Sequence, residues 1–307
     1  MIANILSSLI WLPIISGFLI LFCSKKVSYL NIYNIFINFI VFLLSIFLLI
    51  NFNESSPEFQ FVENIHWIPS LNIFYYLGVD AISVLLILLN TIIFLIVSIY
   101  NSTLSLKKTN HYYASFLIAN GLTIGVFCAL DAILFYIFFE ALLIPMFLII
   151  GIWGGANRIY ASIKFFIYTF LGSILLLISF LYINSSISSF NVNSFYGANF
   201  SLIEQEWLFM AMAIAFAIKI PMFPFHTWLP DAHVEAPTSG SVVLAAILLK
   251  VGAYGFIRYV LPVVPLGAMS LDIYFIVLSL IAIVYVGIVA ISQNDMKKLI
   301  AYSSISH

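Results

Sequence analysis

The sequence predicts an all-α fold, a polytopic bundle of membrane-spanning helices, and three observations lead to that prediction. Hydrophobic residues make up 64% of the 307 positions, charged residues only 7%, and the mean hydropathy is +1.17. Apolar runs of about 20 residues recur along the chain, the length that a helix needs to cross a bilayer core. The short alternating segments that are typical of a membrane β-barrel do not appear in the sequence.

Nine complete spans and the start of a tenth follow from the apolar runs. They cover residues 2–22, 30–52, 79–101, 112–130, 132–152, 162–183, 207–225, 239–260 and 272–292, and the tenth begins near 296. The stretches 53–76 and 184–205 are more polar, and we predict that both are exposed loops.

The basic residues are distributed unevenly between the two sides of the membrane. One side holds eight of them: Lys25, Lys26, Lys107, Lys108, Arg158, Lys164, Lys297 and Lys298. The opposite side carries mainly carboxylates, with Arg258 as its only basic residue. Because basic connections stay inside, the pattern places the amino terminus outside and the eight basic residues in the bacterial cytoplasm or mitochondrial matrix.

The two remaining lysines, Lys219 and Lys250, lie within apolar stretches. Glu140 and His307 are predicted at similar mid-membrane depth on other helices. A charge there costs from about 2.5 to more than 10 kcal/mol, so such groups pair with one another or line a wet cavity. A lysine beside a carboxylate stays charged, whereas separation in apolar surroundings favours loss of its proton. The pattern predicts a chain of proton-carrying groups; the alternative is that Glu140 and Lys219 form a purely structural ion pair.

Prolines support the first interpretation. Pro221 and Pro224 cannot donate backbone hydrogen bonds, so the helix that carries Lys219 is predicted to break after it. Broken helices within the membrane mark ion pathways in transporters, although a proline also produces a simple kink. Pro145 is expected to disturb the fifth span in the same way. His226 is placed at the inner end of the broken helix, either as a proton relay or as an interfacial histidine bound to a backbone carbonyl.

The remaining chemistry-bearing residues predict no cofactor bound by this chain. Asp231, His233 and Glu235 in the turn "LPDAHVEAP" have a spacing that suggests a metal site, but no further ligands converge on this short turn. Cys23 and Cys128 form no paired motif, and no dinucleotide-binding glycine motif is present. A net charge of -1 gives no indication of a nucleic-acid partner.

Three segments carry a family resemblance. "FHTWLPDAHVEAPTSGSVVLAAILLKVGAYGFIR" resembles the proton-pumping membrane subunits of respiratory complex I, the NADH:quinone oxidoreductase. Within that group, "HVEAPTSGSVVLAAILLK" is similar to the chain M family, called subunit 4 in mitochondria. "FYIFFEALLIPMFLIIGIWGG" and "NDMKKLIAYSSISH" resemble the same family. The match extends from about residue 79 onward, and residues 1–78 agree in layout more than in motif.

The resemblance implies a role for each predicted site residue. Glu140 corresponds to the family's essential glutamate, Lys219 to its switching partner on the broken seventh helix, and Lys250 to the central lysine of the eighth helix. His226 and His307 correspond to histidines that connect the hydrophilic axis. The resemblance also implies an antiporter-like fold with inverted five-helix repeats.

The same resemblance divides the chain into three regions. An N-terminal three-helix region covers 1–110, the first antiporter-like repeat covers 111–260, and the start of a second repeat covers 261–307. Because the family fold continues beyond this point, we expect a C-terminally truncated chain, from a fragmentary gene model or a split gene.

The function implied is that of a proton-translocating subunit that couples electron transfer from NADH to quinone to proton pumping. NADH, FMN, iron–sulfur clusters and quinone are expected on other subunits. The partners implied are neighbouring membrane subunits and the lipid bilayer, in a bacterial inner membrane or the mitochondrial inner membrane. Two other classes stay open: a subunit of a multi-subunit sodium/proton antiporter, and a purely structural membrane subunit. Sodium-dependent activity without NADH would favour the former, and intact pumping after neutral substitution of Lys219 the latter.

Overall fold

The structure is a computed structural model that describes residues 4–22, 27–104 and 108–307. Four residues named above lie outside the described residues: Cys23, Lys25, Lys26 and Lys107. The chain forms two compact units, Met1–Met146 and Phe147–His307.

The first unit is built mainly from long apolar helices. They are α1 (Ile5–Phe22), α2 (Val27–Ile50), α3 (Ala81–Ser102), α4 (Thr109–Cys128) and α5 (Ala132–Ala141). Aspartates begin two of these helices. The Asp80 carboxylate accepts a hydrogen bond from Ser83 N–H, and the Asp131 carboxylate accepts from Ile133 and Leu134 N–H. Such caps satisfy amide groups that lack a partner within the helix, and a negative charge there interacts favourably with the helix dipole.

A two-stranded antiparallel sheet lies in the first stretch that was predicted as a loop. Its strands are β1 (Gln60–Ile68) and β2 (Ile73–Val79). The loop prediction is wrong for these residues, because both segments are rich in aromatic and β-branched residues, which favour strands, and they pair with each other. The Glu63 carboxylate accepts hydrogen bonds from Leu6 N–H at 2.8 Å and Ser7 N–H at 3.2 Å. The hairpin therefore caps the amino-terminal end of α1.

Buried amide side chains link three helices of the first unit. Asn120 on α4 donates to Asn38 Oδ1 on α2 at 2.9 Å, and its own Oδ1 accepts from Asn90 Nδ2 on α3 at 2.7 Å. All three residues are at most 2% exposed. In a membrane, hydrogen bonds between helices add to van der Waals packing. These asparagines therefore help to fix how α2, α3 and α4 pack.

The second unit is also helical, and α6 (Leu143–Trp153) carries the chain into it. Its other helices are α7 (Arg158–Ile187), α8 (Val192–Tyr196), α9 (Leu202–Lys219), α10 (Trp228–Glu235), α11 (Thr238–Val260), α12 (Pro265–Ile291) and α13 (Met296–Ser306). Ser201 and Glu204 form a capping box at the start of α9. The loop predicted at 184–205 contains α8, which forms because Val192 and Phe195 bury their side chains.

Seven helical spans among the described residues are long and apolar enough to cross a membrane. They are Ile5–Phe22, Tyr29–Ile50, Ala81–Ser102, Ala132–Trp153, Arg158–Ile187, Thr238–Val260 and Pro265–Ile291. Helices α4 and α9, with 20 and 18 residues, coincide with predicted spans and carry more polar residues. The prediction of a mainly helical, multi-pass membrane protein is confirmed.

The predicted orientation leads to a labelling experiment. We expect Thr103→Cys, directly after α3, to react with a membrane-impermeant thiol reagent only from the inside. Ser186→Cys, near the end of α7, should react only from the outside, because the basic connections stay inside. Both positions are exposed, and the parent protein would lack Cys23 and Cys128. The opposite labelling pattern would show that the assigned orientation is reversed.

Candidate functional site

The chain leaves helical geometry directly after Lys219, the last residue of α9. Pro221 has no N–H to donate to the Ala217 carbonyl, which accepts instead from Met222 N–H at 2.8 Å. Helix resumes at Trp228, at the start of α10. The predicted break is therefore present, and the Lys219 residue at its edge is only 1% exposed.

The side chain of Trp228 supplies a further hydrogen bond at the break. In a continuous helix Met222 N–H would bind the Ile218 carbonyl, but it is bound to Ala217. The Trp228 indole Nε1–H donates to the Ile218 carbonyl instead, at 2.8 Å. Its ring is fully buried and lies 5.3 Å from the Phe165 ring. The sequence offers one signal for this role, since a buried indole N–H needs an acceptor and a broken helix supplies one, but Trp228 was not among the predicted site residues.

Two glycines allow α11 to approach α9 closely at the break. A Cβ atom on Gly252 would lie 3.1 Å from both Lys219 Cβ and Ile220 N, and one on Gly255 would overlap the Phe216 ring. Small residues at helix interfaces in membranes let backbones come this close. The helix that was predicted to carry the central lysine therefore contacts the end of α9.

Lys250 lies in α11 between two π-helical segments, Leu244–Leu248 and Phe256–Val260. Its Nζ donates a hydrogen bond to the Ala245 carbonyl at 2.8 Å, within the first of these segments. The side chain is exposed in the described chain, so the burial expected for Lys250 is not found there. Side-chain periodicity does not reveal π-helical turns, which occur frequently at functional sites.

His307 lies beside the break. It lines a cavity of about 350 Å³ together with Ile220, Pro221 and Met222. The hydroxyl-bearing residue Ser279 on α12 lines the same cavity. The second unit therefore brings together two features that the sequence places far apart, the broken helix and the histidine at the end of α13.

His226 lies within the break, two residues before α10 begins at Trp228. It is 8% exposed, and its ring stacks on Phe223 with a centroid distance of 5.5 Å. The stacked ring and the short connection to α10 restrict the position of the imidazole within the break.

Glu140 belongs to the first unit, where it is the penultimate residue of α5 and is half-buried. The helix is interrupted at Leu142 before it continues as α6. Pro145 explains the interruption, since its ring disfavours a helical carbonyl four residues earlier and it has no N–H to donate. Lys219, His226, Lys250 and His307 belong to the second unit.

The carboxylates of the turn "LPDAHVEAP" bind neighbouring segments of the second unit. Asp231 Oδ2 lies 2.6 Å from Lys164 Nζ on α7. Glu235 Oε2 accepts a hydrogen bond from Asn157 N–H at 2.9 Å, and its backbone carbonyl accepts from Gly155 N–H at 2.9 Å. Within the described ranges, no group of three or more His, Cys, Asp and Glu residues is arranged to hold a metal ion.

A lysine from α13 caps the carboxyl end of α10. Lys297 Nζ donates hydrogen bonds to the Val234 carbonyl at 3.2 Å and to the Ala236 carbonyl at 2.9 Å. His233 lies close by and is 5% exposed. Burial, and after it the charge of Lys297, lowers the pKa of the His233 imidazole. In the sequence, Lys297 is recognisable only as one of the basic residues that predict the orientation.

Known proteins resemble the chain over almost its whole length. It is 47% identical to NADH-quinone oxidoreductase subunit M of Rickettsia conorii over 312 residues, which cover 99% of this chain and 63% of that protein. It is 42% identical to NADH-ubiquinone oxidoreductase chain 4 of Arabidopsis thaliana over 304 residues, which cover 98% of this chain and 61% of that protein. This chain therefore spans less than two thirds of the length of these relatives.

A solved structure and a family profile agree with these relatives. A chain of respiratory complex I from Thermus thermophilus with bound NADH has a TM-score of 0.87 and 27% identity, covering 100% of this chain and 62% of that chain. Residues 129–307, more than half of the chain, match the family described as NADH:quinone oxidoreductase/Mrp antiporter, transmembrane. The chain therefore belongs to the NADH:quinone oxidoreductase/Mrp antiporter transmembrane family.

Proposed function

We propose that the chain is a proton-translocating membrane subunit of an NADH:quinone oxidoreductase. In this role it helps to link two processes: electron transfer from NADH to quinone, and the movement of protons across the membrane. The observation that carries this proposal is Lys219, which is 1% exposed and lies where α9 breaks. A buried lysine changes its proton affinity strongly when a carboxylate approaches or withdraws, and a broken helix offers backbone groups to a wet path.

Each predicted site residue has a role in this proposal. Glu140 and Lys219 act as a switching pair, in which the carboxylate keeps the ammonium group charged. Lys250 is the next proton carrier, and the Ala245 carbonyl accepts a hydrogen bond from its Nζ. His226 relays protons at the inner end of the break, and His307 does so from the cavity beside it.

The redox chemistry is assigned to other subunits in this proposal. The chain has two cysteines, whereas an iron–sulfur cluster is held by four thiolate ligands in most cases. NADH, FMN, the clusters and quinone would bind to partner subunits. The partners of this chain are neighbouring membrane subunits and lipid, in a bacterial inner membrane or the mitochondrial inner membrane.

Affinity purification of the tagged chain from its native membrane tests the proposal. We expect a multi-subunit complex with NADH:quinone oxidoreductase activity to copurify. After reconstitution into liposomes, that complex should form a proton gradient when NADH and quinone are added, and a protonophore should collapse the gradient. A purified assembly that exchanges sodium for protons without NADH would assign the chain to the antiporter class instead.

A further inference from the structure

Side-chain hydrogen bonds connect both ends of helix α10 to other parts of the second unit. At its start, Trp228 donates to the Ile218 carbonyl and so ties α10 to the helix break. At its end, Lys297 donates to the Val234 and Ala236 carbonyls. The last carbonyls of a helix carry partial negative charge and lack partners within the helix, so an ammonium group is well suited to this position.

Lys297 lies at the start of α13, and the other end of α13 lies beside the break. Lys297 is the second residue of α13, and His307 follows the last residue of α13. His307 lines the cavity that Ile220, Pro221 and Met222 also line. The break, α10 and α13 are therefore connected within one compact unit, and α13 packs against α10. Among the described contacts, the side-chain hydrogen bonds from α13 to the end of α10 come from Lys297.

Lys298 is the natural comparison for Lys297. It distinguishes the effect of the hydrogen bonds to α10 from a general preference for positive charge on the inner side of the membrane. Lys298 is exposed, and its ammonium group makes no hydrogen bond among the described residues. Lys297 is half-buried and makes two hydrogen bonds. The two residues are adjacent and carry the same charge, but Lys297 is less exposed and donates hydrogen bonds to α10.

We propose that Lys297 is a positioning residue that couples the helix break to the helix that carries His307. A displacement of the break during proton exchange at Lys219 moves α10, and the two hydrogen bonds from Lys297 transmit this movement to α13. The cavity between the break and His307 then changes in step with the state of Lys219. This inference rests on the proposed function for its link to proton movement.

The test compares three variants in the complex that contains the chain: Lys297→Met, Lys297→Arg and Lys298→Met. Protons translocated per NADH oxidised are measured in inverted vesicles, together with the amount of assembled complex. We expect Lys297→Met to lower this ratio by about threefold, within the range found for substitutions at coupling residues. Lys297→Arg should retain most of the ratio, because arginine also donates to carbonyls, and Lys298→Met should match the unsubstituted protein.

Hydrogen–deuterium exchange gives a second readout that does not depend on pumping. Lys297→Met should speed amide exchange at the start of α13 and in α10, and Lys298→Met should not. Unchanged exchange and an unchanged ratio in Lys297→Met would overturn the proposal, as would an equal loss in Lys298→Met. If Lys297→Met does not assemble, Lys297→Gln is measured in its place with the same expectations. Absence of NADH-driven pumping by the unsubstituted complex would reject the proposed function and leave the exchange test of Lys297 intact.

Discussion

We expect Glu140→Gln to lower NADH-driven proton pumping by at least about tenfold while the complex still assembles, since positioned proton-transfer groups typically contribute more than this. Glutamine has nearly the shape of glutamate but carries no charge and exchanges no proton. In the proposed pair it would also remove the carboxylate that keeps Lys219 charged. Acidification of inverted membrane vesicles, normalised to the amount of assembled subunit, measures the effect.

Two further variants show whether the charge itself is responsible. Glu140→Asp should retain part of the pumping, because the carboxylate remains and only its reach shortens. Glu58→Gln makes the same chemical change at an exposed residue outside the helices and should leave pumping unaltered. Unaltered pumping by an assembled Glu140→Gln complex would reject the switching pair.

The sequence predicted the features of this fold that composition and local chemistry determine. Long apolar runs and a shortage of charge identified the membrane helices. The break after Lys219 was predictable because Pro221 cannot donate a hydrogen bond wherever it lies in a helix. The interruption near Glu140 followed from Pro145 for the same reason. In each case the residues that produce the feature lie within one or two helical turns of it.

Other features depend on which elements meet in three dimensions, and the sequence did not reveal them. The hydrogen bond from Trp228 to the Ile218 carbonyl requires the chain to fold back after the break. Lys297 and the end of α10 are more than sixty residues apart along the chain. The hairpin that caps α1 through Glu63 likewise depends on a contact between distant residues. The π-helical turns around Lys250 change backbone hydrogen bonding without changing the apolar pattern.

The indole of Trp228 is expected to be nearly as important for pumping as the charged groups. Trp228→Phe keeps an aromatic ring against Phe165 but removes the N–H that satisfies the Ile218 carbonyl. A buried carbonyl left without a donor costs about 1–3 kcal/mol. The chain at the break would relax to recover that energy, and Lys219 is the residue directly after Ile218. We therefore expect the position of Lys219 to change.

The expected result for Trp228→Phe is a fall in NADH-driven pumping of about tenfold, because small misplacements of a reacting group are costly. The matched control is Trp207→Phe on α9, where the Trp207 side chain is 74% exposed and should tolerate the change. Faster amide exchange between α9 and α10 in Trp228→Phe, and not in Trp207→Phe, would locate the effect at the break. If Trp228→Phe assembles and pumps like the unsubstituted complex, the Ile218 carbonyl has another donor and the indole does not hold Lys219 in place.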